Sequence, residues 1–230
     1  MGLLDGFKLT FDGESVSLTL QGQRLLALLA IQNRSLRRAS VAGTLWLDTT
    51  DHRAHANLRS ALWRLNSWGH RLVESDDHHL QLARDVQVDL HAAVALALRL
   101  VDGSAAAHEL PHARAALSAD VLPDWYDEWV LVEREWFRQL RLHALEFLCE
   151  RLAEAGDLSG ALRAGLSAVA ADPMRESAHR ALIRVHLAEG NHGEAVRQYE
   201  IFRRLLREQL GLEPSAHIEN LVPCPKREVR

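Results

Sequence analysis

The side chains best placed to do chemistry in this sequence are arginines. Arg53, Arg59 and Arg64 recur through one short helical stretch together with Asn57 and Ser60, and Arg37 and Arg38 stand just before it. An arginine fork matches O6 and N7 of guanine, an asparagine amide matches adenine, and a serine hydroxyl serves either base. The chemistry on offer is hydrogen bonding to base edges. Asn57, Arg59, Ser60 and Arg64 are the base-reading candidates. Arg37, Arg38 and Arg53 lie off the strip that would meet bases, and His55 is expected at a helix N-terminus, so these four suit phosphates.

Bond-making chemistry finds little support. No Gly-x-Ser-x-Gly elbow occurs, and Cys149 falls on an apolar helical stripe, which favours packing over nucleophilic attack. The histidine clusters His52-x-x-His55, His78-His79 and His108…His112 come without paired cysteines or a His-Glu-x-x-His pattern. Glu133 and Glu135 are expected to be solvated partners of nearby arginines. The expectation is no enzyme, no catalytic residue, no metal and no cofactor.

Composition bounds the rest. The 230 residues are 47% hydrophobic and 25% charged, enough for one large or two ordinary domains. There is no apolar run long enough to span a bilayer, and Met1 to Leu20 carries Asp5, Lys8, Asp12 and Glu14 where a signal peptide would be apolar. Cys149 and Cys224 make no disulfide framework, and a cytoplasmic location without membrane contact is expected. The net charge of −4 hides an asymmetry. Between Leu20 and Leu72 stand eight arginines and two acids, whereas from Val86 onward 17 basic residues face 22 acidic ones. A basic block in an acidic protein suits a nucleic-acid-binding domain joined to something else. Taken alone it serves a solvated helical surface equally well.

The elements that must position these residues follow from periodicity. Phe7, Leu9 and Phe11 alternate, Asp12-Gly13 supplies a turn, and Val16, Leu18 and Leu20 alternate again, which predicts short strands. A helix is expected from about Gly22 and a second from Ala39 to Leu45, followed by a polar loop over Asp48 to Asp51. A third should run from Ala54 to Trp68, burying Leu58, Ala61, Leu62 and Leu65 and stopped by Gly69. Trp63 faces away from that core and is expected to pack against the hairpin or the second domain. Leu72-Val73-Glu74 and Leu80-Gln81-Leu82 bracket an acidic tip and read as a hairpin, which makes a winged helix-turn-helix. That tip departs from the basic wing that would suit a minor groove.

Beyond Asp89 the signal is helical: Leu90 to Val101, Ser104 to Leu117, and a long helix opening at Trp125 and reaching Glu154. Ala144/Ala178, Leu148/Leu182, Gly156/Gly190, Ala161/Ala195 and Leu162/Val196 are each 34 residues apart, the tetratricopeptide period. Asp157 should cap one helix, Asp172-Pro173 should open another, and Asn191 to Glu194 reads as a capping box. The fold expected is mainly α with a small β part. A winged helix-turn-helix over 1–86 is followed by an all-α tetratricopeptide-like domain over 87–215 and a disordered tail over 216–230.

Leu58-Arg59-Ser60-Ala61-Leu62-Trp63-Arg64-Leu65, the hairpin strands and Val88-Asp89-Leu90 resemble the streptomycete antibiotic regulatory protein family. So do Trp125…Glu133-Arg134, Ala195 to Tyr199, and Leu210 to Ser215. That family joins an OmpR-type winged helix to a bacterial transcriptional activation domain. The resemblance runs from about Leu3 to Ser215 and implies an activator of biosynthetic gene clusters. Such a protein would bind direct repeats in double-stranded DNA near promoters, engage RNA polymerase holoenzyme through the second domain, and form homo-oligomers at least on DNA. Larger members add an ATPase domain, and with no Gly-x-x-x-x-Gly-Lys-Ser/Thr sequence this chain resembles a small stand-alone member. Two other readings stay open: an interaction scaffold whose winged helix binds protein, and a regulator gated by a small molecule in the helical domain.

Overall fold

A computed structural model describes residues 1–67 and 71–222. The expected termination at Gly69 and the last residues of the expected tail lie outside that range. The chain forms two compact units, each assembled from two stretches: Met1–Ala93 with Ala119–Phe137, and Val94–Ser118 with Arg138–Arg230.

The first unit opens with β1 (Thr10–Phe11) and β2 (Glu14–Ser15), an antiparallel pair. Asp12 and Gly13, at φ 48° and 85°, supply the two left-handed positions that a tight hairpin of matching twist requires. Leu20, which alternation placed on a strand, instead begins α1 (Leu20–Gln32), because Thr19 caps it by accepting from the Gly22 amide. Next come β3 (Leu36–Arg37), α2 (Arg38–Leu45), α3 (Asp51–Asn66), and the hairpin of β4 (Val73–Ser75) and β5 (His79–Leu82). The two-residue β3, too short to show a period, pairs with β5 so that Leu36 faces Leu80 and Arg37 faces His79. The sheet order is β3-β5-β4. Leu25, Leu26 and Leu29 of α1 close a core with Val41, Leu45, Leu58, Leu62, Leu65, Val73 and Leu80. This is a winged helix.

Residues 119–137 belong to the same unit. Leu122 donates to the Leu3 carbonyl at 2.9 Å, and Asp5 donates to that of Asp120 at 2.9 Å. The loop before the long helix holds Leu122 at φ 43°, an uncommon conformation for a branched side chain. The Arg134 guanidinium gathers the carbonyls of Val121, Leu122 and Trp125 around it.

The remaining helices are α4 (Asp89–Val101), α5 (Leu110–Ala116), α6 (Glu128–Glu154), α7 (Leu158–Ala171), α8 (Glu176–Ala188), α9 (His192–Leu210) and α10 (Ala216–Glu219). The 34-residue repeat is real in geometry. Gly156 and Gly190 both turn the chain at positive φ, and the helices end at Glu154 and Ala188 and restart at Leu158 and His192. Ala144, Ala178, Leu148, Leu182, Ala161 and Ala195 are all fully buried. At Gly165 a Cβ would lie 3.2 Å from Leu182 and 3.3 Å from Cys149, so an alanine there would crowd both side chains where the helices approach closely. The unit is tetratricopeptide-like.

Several expected helix limits are corrected. Helix α3 starts three residues early, at Asp51. The long helix starts at Glu128, not Trp125. The stretch after Ser104 stays out of α5 because Asp102 and Glu109 accept the Ser104 and Ala106 amides, a local alternative to helix. Asp172-Pro173 does not open α8. The Asp172 carboxylate accepts the Met174 amide in a turn, and the helix waits until Glu176. Asp157 caps α7 as expected, accepting from Gly160 at 2.8 Å. Asn191 holds the N-cap position of α9, yet its amide donates to Glu189 and forms no capping box.

Candidate nucleic-acid interface

Helix α3 buries Ala54, Leu58, Ala61, Leu62 and Leu65 and turns its other side to solvent. Arg53, Asn57, Ser60 and Arg64 stand at i, i+4, i+7 and i+11, so they share one exposed stripe; because α3 starts at Asp51, Arg53 lies at the N-terminal end of this strip and not off it as expected. Arg59 and Trp63 border it. Among the described residues none of Arg53, Arg59 and Arg64 is ion-paired, so their charge faces outward. Ser60 Oγ donates to the Ala56 carbonyl at 3.0 Å, which leaves the hydroxyl to act outward as an acceptor. The expectation that Trp63 packs fails: its surface is 72% exposed, because the helix turns it away from the leucine face. His55 is not at the helix N-terminus, since the early start at Asp51 puts it in the second turn.

The wing comes to the same region. Arg37, Arg38, His55, Asp77, His78 and His79 line a depression of about 530 Å³. Arg37 is exposed, whereas Arg38 is partly committed, reaching the Asp76 carbonyl at 3.3 Å. Sequence reasoning left the acidic tip unexplained. Asp76 accepts the amides of His78 and His79, each at 2.7 Å, and these bonds hold its carboxyl below the ordinary carboxylate range. Its negative charge is thus spent on shaping the turn that presents two histidines. The signal was legible in principle, since Asp followed two and three residues later by the chain reversal is an Asx turn.

Other flagged residues resolve differently. Cys149 is fully buried, and burial together with Glu150 and Glu146 pushes its thiol up to about 12, so it stays protonated and packs. Glu133 does not pair with an arginine among the described residues; burial alone raises its carboxyl. Arg24, counted within the basic block, is neutralised by Asp127 and also donates to the Leu45 carbonyl at 3.0 Å. No group of three or more metal-ligating side chains and no helix able to cross a membrane occurs among the described residues.

A model of the bacterial transcriptional activator domain matches residues 85–222. The chain belongs to the bacterial transcriptional activator domain family. The regulatory protein AfsR of Streptomyces coelicolor is 26% identical over 232 residues, covering 96% of this chain and 23% of AfsR. Among solved structures, Mycobacterium tuberculosis EmbR, in complex with a low affinity phosphopeptide, superposes with a TM-score of 0.71. The identity there is 22%, over 96% of this chain and 62% of that one, which speaks for the fold. The chain thus spans about a quarter of one relative and less than two thirds of the other. A bacterial transcriptional activator domain behind a winged helix is the two-part arrangement that the resemblance in the sequence implied.

Proposed function

We propose that the chain binds double-stranded DNA in a sequence-specific manner and activates transcription from adjacent promoters, with biosynthetic gene clusters as targets. The exposed Arg53-Asn57-Ser60-Arg64 stripe on α3 carries this reading. A helix with its core side closed and its outer side bearing unpaired arginines is shaped for a major groove. Asn57, Arg59, Ser60 and Arg64 are assigned to base edges, and Arg37, Arg38, Arg53 and His55, with His78 and His79 of the wing, to phosphates. The helical unit supplies stacked helix pairs that suit contact with a second copy and with RNA polymerase holoenzyme.

Repeat units stack head to tail, so two protomers would face one way along the duplex and the operator is a direct repeat. The half-sites should lie about one turn apart, roughly 10–11 base pairs. Footprinting on DNA flanking the gene tests the reading. A protected direct repeat, with affinity falling steeply in salt, is expected. Equal affinity for unrelated duplexes, undiminished binding after one half-site is moved by about five base pairs, or a footprint centred on an inverted repeat overturns it.

A further inference from the structure

A second depression of the first unit is separate from the α3 stripe. It encloses about 790 Å³ and is walled by the turn Trp46–Thr49 and by residues 126–133, within the size of small-molecule sites, roughly 300–1,000 Å³. We propose that it binds a small organic cation, a protonated or quaternary amine carried on an apolar or aromatic body.

Charge is the first argument. Asp48, Asp127, Glu128 and Glu133 line the depression against one cation, Arg24. The Arg24 guanidinium is spent on Asp127 and the Leu45 carbonyl. Among the described residues Asp48, Glu128 and Glu133 have no basic partner. Glu133 is half-buried, and desolvation without a compensating cation is costly for a carboxylate. Among the described residues no three carboxylates converge closely enough to hold a metal ion, and the spread-out charge suits a larger, softer cation.

The walls are the second argument. Trp46, Tyr126 and Trp129 contribute aromatic rings, and ring faces attract organic cations. Tyr126 is 80% exposed, Leu47 74% and Val132 67%, an apolar rim unusual on a solvated surface. The Trp129 indole N–H is buried with no acceptor among the described residues. Aromatic side chains and an unpartnered half-buried carboxylate thus line one concave site.

Benzyltrimethylammonium is a suitable probe, with benzyl alcohol as its uncharged counterpart. Titration of the full chain without DNA, followed by tryptophan fluorescence and calorimetry, should show saturable binding at about millimolar concentration or below. Benzyl alcohol should bind about tenfold more weakly, and Glu133→Gln should weaken the cation by a similar factor. Tyr126→Ala, at an exposed position, should cost about fivefold, and it keeps the test decisive if Glu133→Gln folds poorly. No saturable binding, equal binding of the alcohol, or unchanged binding by both variants overturns the proposal. Since DNA is absent from the assay, a failure of the DNA-binding reading would leave this result standing.

Discussion

The two units spend the same residue in opposite ways. In the helical unit many arginines meet a carboxylate: Arg99 with Glu109, Arg138 with Asp172, Arg175 with Glu146, Arg184 with Glu150, and Arg203 and Arg207 with Glu213. In the winged helix Arg37, Arg53, Arg59 and Arg64 meet none among the described residues. Paired arginines cancel their field and hold helices in register, while unpaired ones on adjacent elements sum to a positive potential. Counting charges along the sequence found the block but could not sort its members. Arg24 sits in the same block and belongs to the structural class, because Asp127 lies beside it in the fold.

The largest expected effects come from the unpaired class. Arg59→Ala and Arg64→Ala should each lower affinity for the cognate operator by about 10–100-fold, or 1–3 kcal/mol, while the melting temperature stays put. Arg203→Ala, which removes a partner of Glu200 and Glu213, should leave operator affinity unchanged. Anisotropy titrations against one labelled operator compare all three. An operator affinity equally sensitive to Arg203 would erase the distinction between the units.

The paired class should show its effect in stability. Arg175 donates to both oxygens of Glu146, whose carboxylate also accepts from Ser177, and the two side chains are only 17% and 13% exposed. Arg175→Ala leaves that carboxylate poorly satisfied and should cost roughly 1–3 kcal/mol in urea unfolding. Arg184→Ala breaks a pair that is 52% and 44% exposed and should cost under about 0.5 kcal/mol. Equal losses would mean that burial does not decide what these pairs contribute.

How far the sequence carried the fold follows the physics of each element. The α3 core face was legible because sixteen residues of helix repeat their period several times. The 34-residue repeat was legible because burial and glycine turns recur with it. Strand β3 was not, since two residues have no period. Helix starts failed where a side chain took a local bond instead, as Asp172 did with Met174. The interleaving of residues 119–137 with the first unit could not be read at all. It depends on pairings such as Leu3 with Leu122, which leave no local trace. At the candidate site the residue types were legible, but their pairing was not. Exposure of Trp63 and the carboxylates around Trp129 appear only in three dimensions, whereas the Asp76 turn had a local signal.

Within the unpaired class a smaller contrast is expected. Arg37 is exposed and free of partners among the described residues, whereas Arg38 already donates to the Asp76 carbonyl. Arg37→Ala should weaken all duplexes alike and reduce the slope of log affinity against log salt by about one unit. Arg38→Ala should change the slope less and disturb the wing more. Sequence-selective losses at Arg37 would place β3 against base edges instead.

The smallest expected effect extends the comparison from arginine to histidine. His78 and His79 of the wing face a basic depression, whereas His179 of the helical unit is buried between α8 and α9 against the Phe202 ring, with centroids 4.4 Å apart. Its Nε2–H donates to the Pro173 carbonyl at 2.9 Å, so Nδ1 accepts from the Gln198 amide at 2.8 Å. That pattern needs a neutral ring. Burial, the largest influence, holds its pKa below the ordinary value, against weaker opposition from the Pro173 bond, Asp172 and Glu176. The unfolded chain takes up a proton at the ordinary value of about 6.5, above the folded one. Between the two values the unfolded state therefore binds more protons, and stability falls as pH falls. The contribution is complete above the ordinary histidine value and is lost progressively below it. His179→Gln isolates the effect: the gap in urea midpoint between wild type and variant should narrow from pH 8 to pH 5. A gap independent of pH would show that the buried imidazole does not stay neutral on folding, and that the histidines of the two units do not differ as the arginines do.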